Sequence, residues 1–298
     1  MSKTTETALI VLSVMILIAS IIMFGLNHYY FRYPGLFYFD PAFLSCALFL
    51  MMVRFGLKLQ FNLCHDNTWI KMLGEAAIYS MTIVLILFAT SAVQYTPFHP
   101  VDRKIVGAEQ LLHLDLKSAI AWLNQNNQLK EIANDIYFSL SYQLLFIPLG
   151  VLLMRQYDAL HQFYFLVLLT WLIGSLIYYF FPTMGPASVI DSPYFIHAQR
   201  DTGLKFWQLH HYIQPVTADG GMIAMPSFHV IWAWLCVWLV RSWPTVFVLM
   251  IAMNSILIVS CVFLGWHYFL DVIGSVLTVL LAHVIYHVCH KDVASKLC

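Results

Sequence analysis

The sequence predicts an all-α, polytopic integral membrane protein of about eight transmembrane helices. Composition is the first observation behind this. Of 298 residues, 61% are hydrophobic and only 10% charged, with a mean hydropathy of +0.76, against roughly 25% charged residues in a typical soluble domain. Charge balance is the second: fifteen Lys and Arg against fifteen Asp and Glu leave no basic excess for a nucleic-acid surface. The third is a series of apolar runs, each near the ~20 residues that cross a bilayer. Together they exclude a soluble enzyme, a disordered chain and a disulfide-stapled secreted domain. The six Cys form no CxxC pair. The polar start followed by Ala8–Leu26 reads as a span, not a cleavable signal.

Apolar runs between charged or Pro/Gly-rich breaks place the spans at 7–26, 41–57, 74–94, 136–154, 161–181, 226–240, 244–265 and 268–288. The second is short, with Arg54 placed to snorkel. Residues 1–72 are expected to form an N-terminal addition of unreadable role, and 73–298 the functional membrane domain. Two long connections remain, 95–135 and 182–225. In the first, Ile120, Leu123, Ile132 and Ile136 recur among polar neighbours, predicting a helix lying on the membrane surface.

Alternating the spans brings 182–230 and 265–271 to one face. The opposite face holds Lys3, Arg54, Lys58, Lys71, Arg155, Arg241, Lys291 and Lys296 in short segments, and the other seven cations are spread over longer loops. By the positive-inside rule the compact basic face is cytoplasmic. The long loops are then periplasmic, extracellular or lumenal.

Two motifs lie on that second face. Met225-Pro226-Ser227-Phe228-His229 opens the sixth span. Pro suits a first helical turn, and the free N–H groups there, with the Ser227 hydroxyl, favour an anion. Gly220-Gly221 would let the backbone approach a ligand. The simpler alternative is an ordinary helix start with an interfacial His. The second motif is Gly265-Trp266-His267-Tyr268-Phe269-Leu270-Asp271. His267 and Asp271 share one helical face, and a carboxylate on one ring nitrogen leaves the other basic. An Asp inside an apolar run costs ~2.5–3.5 kcal/mol at a helix centre, which makes it a functional candidate. The spacing alone is weak, because His197 and Asp201 repeat it in a loop. The combination is stronger. The 38 residues from His229 to His267 suffice for one out-and-back crossing at ~1.5 Å per residue. Both histidines therefore return to one face, beside an anion-favouring helix start, a constellation suited to phosphoryl transfer at the lipid interface.

PSxH followed some forty residues later by HxxxD resembles the type-2 phosphatidic acid phosphatase superfamily. "PSFH" with "HYFLDVIG" is most similar to its inositol phosphorylceramide synthase branch and, more distantly, to sphingomyelin synthases. Tyr178–Pro186, "YYFFPTMGP", sits where the superfamily has its first motif, and the resemblance covers roughly 135–288. It implies a six-helix core in spans three to eight, in which His267 attacks phosphorus to form a phosphohistidine and Asp271 orients it. His229 would protonate the leaving group and then activate an acceptor alcohol or water. Candidate substrate contacts are Ser227, Pro226, Gly221, Tyr268, Arg200 and Lys205. The expected partners are a membrane lipid donor and a lipid or polar alcohol, or water, as acceptor, with no metal or cofactor.

Two departures shape the expected reaction. The phosphatase branch carries KxxxxxxRP in its first motif and SR six residues before the nucleophilic His. Here no Lys or Arg lies between Asp158 and Arg200, and the SR position reads Ser260-Cys261. A monoester dianion would lose charge-assisted hydrogen bonds; a phosphodiester, with one charge, needs fewer. Transfer from a phosphodiester lipid is the first expectation. A lipid-phosphate or polyprenyl-diphosphate phosphatase is the second, and a non-catalytic transporter or scaffold the third. Arg200, Lys205, His210 and His211 could supply replacement charge, although a solvated loop explains them more simply. His283, His287, Cys289 and His290 read as interfacial residues before a metal set. Gln143 and Asn254 read as interhelical hydrogen-bond partners.

Overall fold

The computed structural model describes residues 3–31, 41–61, 67–217 and 223–294, and among them every regular element is helical. In chain order these are α1 (Lys3–Phe31), α2 (Pro41–Phe61), α3 (Thr68–Val93), α4 (Asp102–Leu111), α5 (Leu116–Asn124), α6 (Asn127–Leu153) and α7 (Tyr157–Phe180). After a single turn at Pro186–Ser188 come α8 (His197–His210), α9 (Phe228–Leu239), α10 (Pro244–Phe263) and α11 (Phe269–Ala294). Seven of these, α1, α2, α3, α6, α7, α10 and α11, are long and apolar enough to cross a membrane. The protein is an all-α, multi-pass membrane protein.

The expected sixth span is shorter than the rest. α9 has 12 residues, about 18 Å at ~1.5 Å per residue, against a hydrocarbon core of ~30 Å. It packs beside α7, where Gly174 makes the room. A Cβ there would lie 2.8 Å from Phe228 Cζ and 3.1 Å from Pro226 Cγ. α9 therefore starts opposite Gly174, six residues short of the end of α7. The start is thus recessed by about 9 Å.

α7 is the central helix, buried on all sides from Leu160 to Trp171. Such uniform burial matches its apolar residues on every face. α3, α6, α9 and α11 pack around it, and α1 packs on α3 and α7, so Leu12 and Ile16 join the same core as Leu166 and Ile231.

The connections are more ordered than their polarity suggests. The expected surface helix divides into α5 and the first turns of α6, separated at Asn126, whose side chain caps α6 through the Leu129 N–H at 3.1 Å. Ile120 and Leu123 do not face lipid. Both are buried, Ile120 beside Val262 and Tyr268 and Leu123 beside Leu257 and Cys261. For these two, protein takes the place of the expected membrane, whereas Ile132 on α6 is 53% exposed and faces outward. Among the described residues, neither Gln143 nor Asn254 bridges helices. Each bonds four residues back in its own helix, Gln143 to Ser139 Oγ at 3.1 Å and Asn254 to the Met250 carbonyl at 3.0 Å.

Candidate active site

α9 and α11 carry the two sequence motifs, and their starts meet beside one cavity of about 190 Å³. Ser227 is the N-cap of α9; its buried hydroxyl accepts from the Val230 N–H at 3.5 Å. That leaves His229 in the first turn, half-buried, at the cavity wall. The turn before α11 is made by Gly265, whose φ of +82° suits glycine alone. A Cβ there would strike Phe195 Cε1 at 2.7 Å and Ile120 Cδ1 at 2.9 Å. His267 follows, 5% exposed, and faces His229 with 6.0 Å between ring centroids.

The hydrogen bonds fix the His267 tautomer. Nδ1 lies 3.0 Å from the Ala224 carbonyl and 3.3 Å from Asp271 Oδ2. Both are acceptors, so Nδ1 carries the hydrogen and Nε2 keeps its lone pair. The i, i+4 contact expected from sequence forms, but the backbone carbonyl is nearer. Asp271 Oδ2 also accepts from the Tyr268 N–H at 3.0 Å, holding the start of α11. Burial pushes the His267 ring below the ordinary histidine range, so it is neutral at pH 7.

Two features escaped the sequence reading. Tyr137, from α6, lies flat on His229 at 4.3 Å and 12° and on Trp266 at 5.6 Å and 5°. The three rings fix the plane of His229. α4 supplies the other feature. Asp102, 1% exposed, accepts from the N–H groups of Met184, at 2.9 Å to Oδ2, and Gly185, at 2.9 Å to Oδ1, and from the Tyr268 hydroxyl at 3.0 Å. Burial raises the Asp102 carboxyl above the usual range, against the pull of those donors. Met184 and Gly185 line the cavity, and Gly185 needs a φ of +91°. Asp102 thus ties the stretch after α7 to the residue beside His267. Glu109, two turns of α4 further on and also buried, accepts from the Leu270 N–H at 2.9 Å, an acceptor where α11 needs one.

The remaining candidates disperse. Pro226 is buried against α7, and the Tyr268 ring points to Asp102; neither lines the cavity. Ser227 is used as a cap, also off the wall. Arg200 is exposed, with one nitrogen 3.4 Å from the Ser192 carbonyl, and it does not line the cavity. Gly221 falls outside the described residues. Lys205 corrects the solvated-loop reading. It is fully buried on α8, its ammonium 5.4 Å from the Phe206 ring centre, and both Thr202 and Phe206 line the cavity. His210 is also mostly buried, and desolvation pushes its pKa down to about 4. His197 and Asp201 pair at 2.6 Å on the surface of α8. Among the described residues no Lys or Arg lines the cavity, and fully buried Cys261 stands at the second position of the expected SR pair. At the other end of α11, His283 Nε2 accepts from the Trp234 indole at 3.2 Å.

No curated protein and no solved structure matches the chain. A family model does match it, over residues 103–285. That span runs from α4 into α11 and contains Tyr137, both histidines and Asp271. Covering more than half of the chain, it makes this multi-pass membrane protein a member of the PAP2 superfamily, a group of phosphatase- and phosphotransferase-type lipid enzymes.

Proposed function

We propose that the protein transfers a phosphate-bearing headgroup from a phosphodiester lipid to an alcohol acceptor through a phosphohistidine. The observation that carries this is the pair of histidines facing each other at 6.0 Å across one cavity. One of them has its Nδ1 committed to acceptors. His267 Nε2 attacks phosphorus, and the bond from phosphorus to the lipid oxygen breaks. His229 gives that oxygen a proton, so a neutral alcohol leaves. In the second half, His229 takes the proton of the acceptor hydroxyl as its oxygen attacks phosphorus, and His267 is released. Asp271 and the Ala224 carbonyl hold the His267 ring. The free N–H groups of the first turn of α9 face the developing negative charge.

The cavity wall supports a diester over a monoester, since no guanidinium or ammonium among the described residues lines it. This agrees with the resemblance to the inositol phosphorylceramide synthase branch. By the distribution of cations the site opens to the extracytoplasmic face. One observation favours a second reading, hydrolysis of a lipid phosphate or polyprenyl diphosphate: buried Lys205 sits one turn from the wall. Purified protein offered phosphatidic acid and intact phospholipids side by side separates the two. Headgroup transfer from the intact lipid is expected. Rapid phosphate release from phosphatidic acid, with intact lipids untouched, would overturn the diester proposal. His267→Ala should abolish turnover and phosphohistidine trapping in a folded protein; undiminished activity would remove His267 from the mechanism.

A further inference from the structure

A second cavity of about 360 Å³ lies deeper in the membrane region, bounded by Phe43, Ile83, Ile86, Leu144, Phe163 and Trp232 among others. It is reached from the first by three helices in parallel. On α3 the wall passes from Thr90 to Ile86, on α7 from Trp171 to Val167, and on α9 from His229 to Trp232. Each step is about one turn away from the histidines. Trp232 belongs to both cavities. Its indole N–H is buried and has no acceptor among the described residues. A buried donor without an acceptor is costly, and this one stands where a phosphate-side cavity meets an apolar one.

We infer that the deeper cavity holds one acyl chain of the lipid substrate, with the ester or amide carbonyl at the head of that chain accepting from Trp232. The inference rests on the proposed lipid transfer and names where the lipid's tail goes. The order of groups along a phospholipid, phosphate then carbonyl then hydrocarbon, matches the order His229, Trp232, Ile86. Phe43 of α2 and Ile83 and Ile86 of α3 lie outside the family match at 103–285, whereas Leu144, Phe163 and Trp232 lie inside it, so both parts of the chain build this subsite. A chain entering the cavity leaves one apolar medium for another, so shape and the carbonyl bond, not hydrophobicity, select it.

Photolabelling needs no turnover and tests occupancy directly. A phospholipid with a diazirine on one acyl chain, added to the purified full-length protein, is expected to label Ile83, Ile86 or Leu144. Label confined to outward-facing residues such as Phe146 and Leu153 would overturn the inference. Ile83→Trp fills the cavity and should lower the dipalmitoyl-over-dihexanoyl ratio of kcat/KM about tenfold or more. Ile83→Ala should move the ratio the other way. Trp232→Phe should erase the wild-type preference for ester-linked over ether-linked donors. Unchanged ratios in all three, whatever their absolute activity, refute the subsite. Phosphohistidine formation without cavity labelling would leave the proposed reaction standing and remove this inference. Labelling without phosphohistidine would do the reverse.

Discussion

Removing the Asp102 carboxylate tests whether α4 braces the site. In Asp102→Ala three buried donors lose their acceptor: the Met184 and Gly185 N–H groups and the Tyr268 hydroxyl. A buried donor left unpaired costs ~1–3 kcal/mol, so the sum is roughly 3–9 kcal/mol before any water enters. That is a large share of the ~5–15 kcal/mol that typically holds a protein folded. Tyr268→Phe removes only one donor and leaves Asp102 its two N–H groups, a cost of ~1 kcal/mol. Combining the two substitutions gives the decisive number. If the hydroxyl and carboxylate act as one contact, the double variant is less destabilised than the sum of the single ones by about 2–4 kcal/mol. Equilibrium unfolding in detergent of wild type, both single variants and the double variant measures it. Additive effects, or an Asp102→Ala protein within ~1 kcal/mol of wild type, would refute the brace.

Gly265→Ala should destabilise by about 2–5 kcal/mol, combining left-handed backbone strain of ~1–2 kcal/mol with overpacking against Phe195 and Ile120. A thermal midpoint equal to wild type would contradict the turn geometry. His210 titrates at about 4 when folded and at ~6.5 when unfolded. As pH falls from 6.5 to 4 only the unfolded chain gains this proton, so stability drops by up to about 3 kcal/mol; above 6.5 the group contributes no slope. His210→Phe should flatten that part of the stability profile, and an unaltered slope would rule out His210 as its source. Tyr137→Ala removes the ring holding His229 flat and should cut kcat about tenfold or more, whereas Tyr137→Phe, which keeps the stack and loses only a 3.4 Å contact, should change it little. Equal losses in both variants would shift the role from the ring to the hydroxyl.

How legible each part of the site was depended on sequence distance. His267 and Asp271 are four residues apart on one helix start, so local geometry sufficed, and the spans declared themselves by uninterrupted apolar length. Ala224 beside His267 is a backbone acceptor that no side-chain pattern marks. Asp102 and Tyr268 are separated by 166 positions, Tyr137 and His229 by 92; no periodicity connects such pairs. Lys205 misled because a polar stretch of His, Arg and Lys reads as solvated, while its Thr202 and Phe206 neighbours turn α8 inward. The expected span 226–240 overran α9 by Pro226 and Ser227 at its start and Val240 at its end, and Pro226 is spent on packing against Gly174.

The recess created by that packing has a bearing on who wins as acceptor. An alcohol with a hydrocarbon tail accumulates at the depth of the α9 start, whereas bulk water thins out over the same 9 Å or so. At equal intrinsic reactivity, the local ratio of hydroxyl groups to water molecules then decides between transfer and hydrolysis. Under the proposed transfer, that ratio is tied to the six residues of α7 that rise past Gly174, and the length of one helix end would act as a partition filter on its second half.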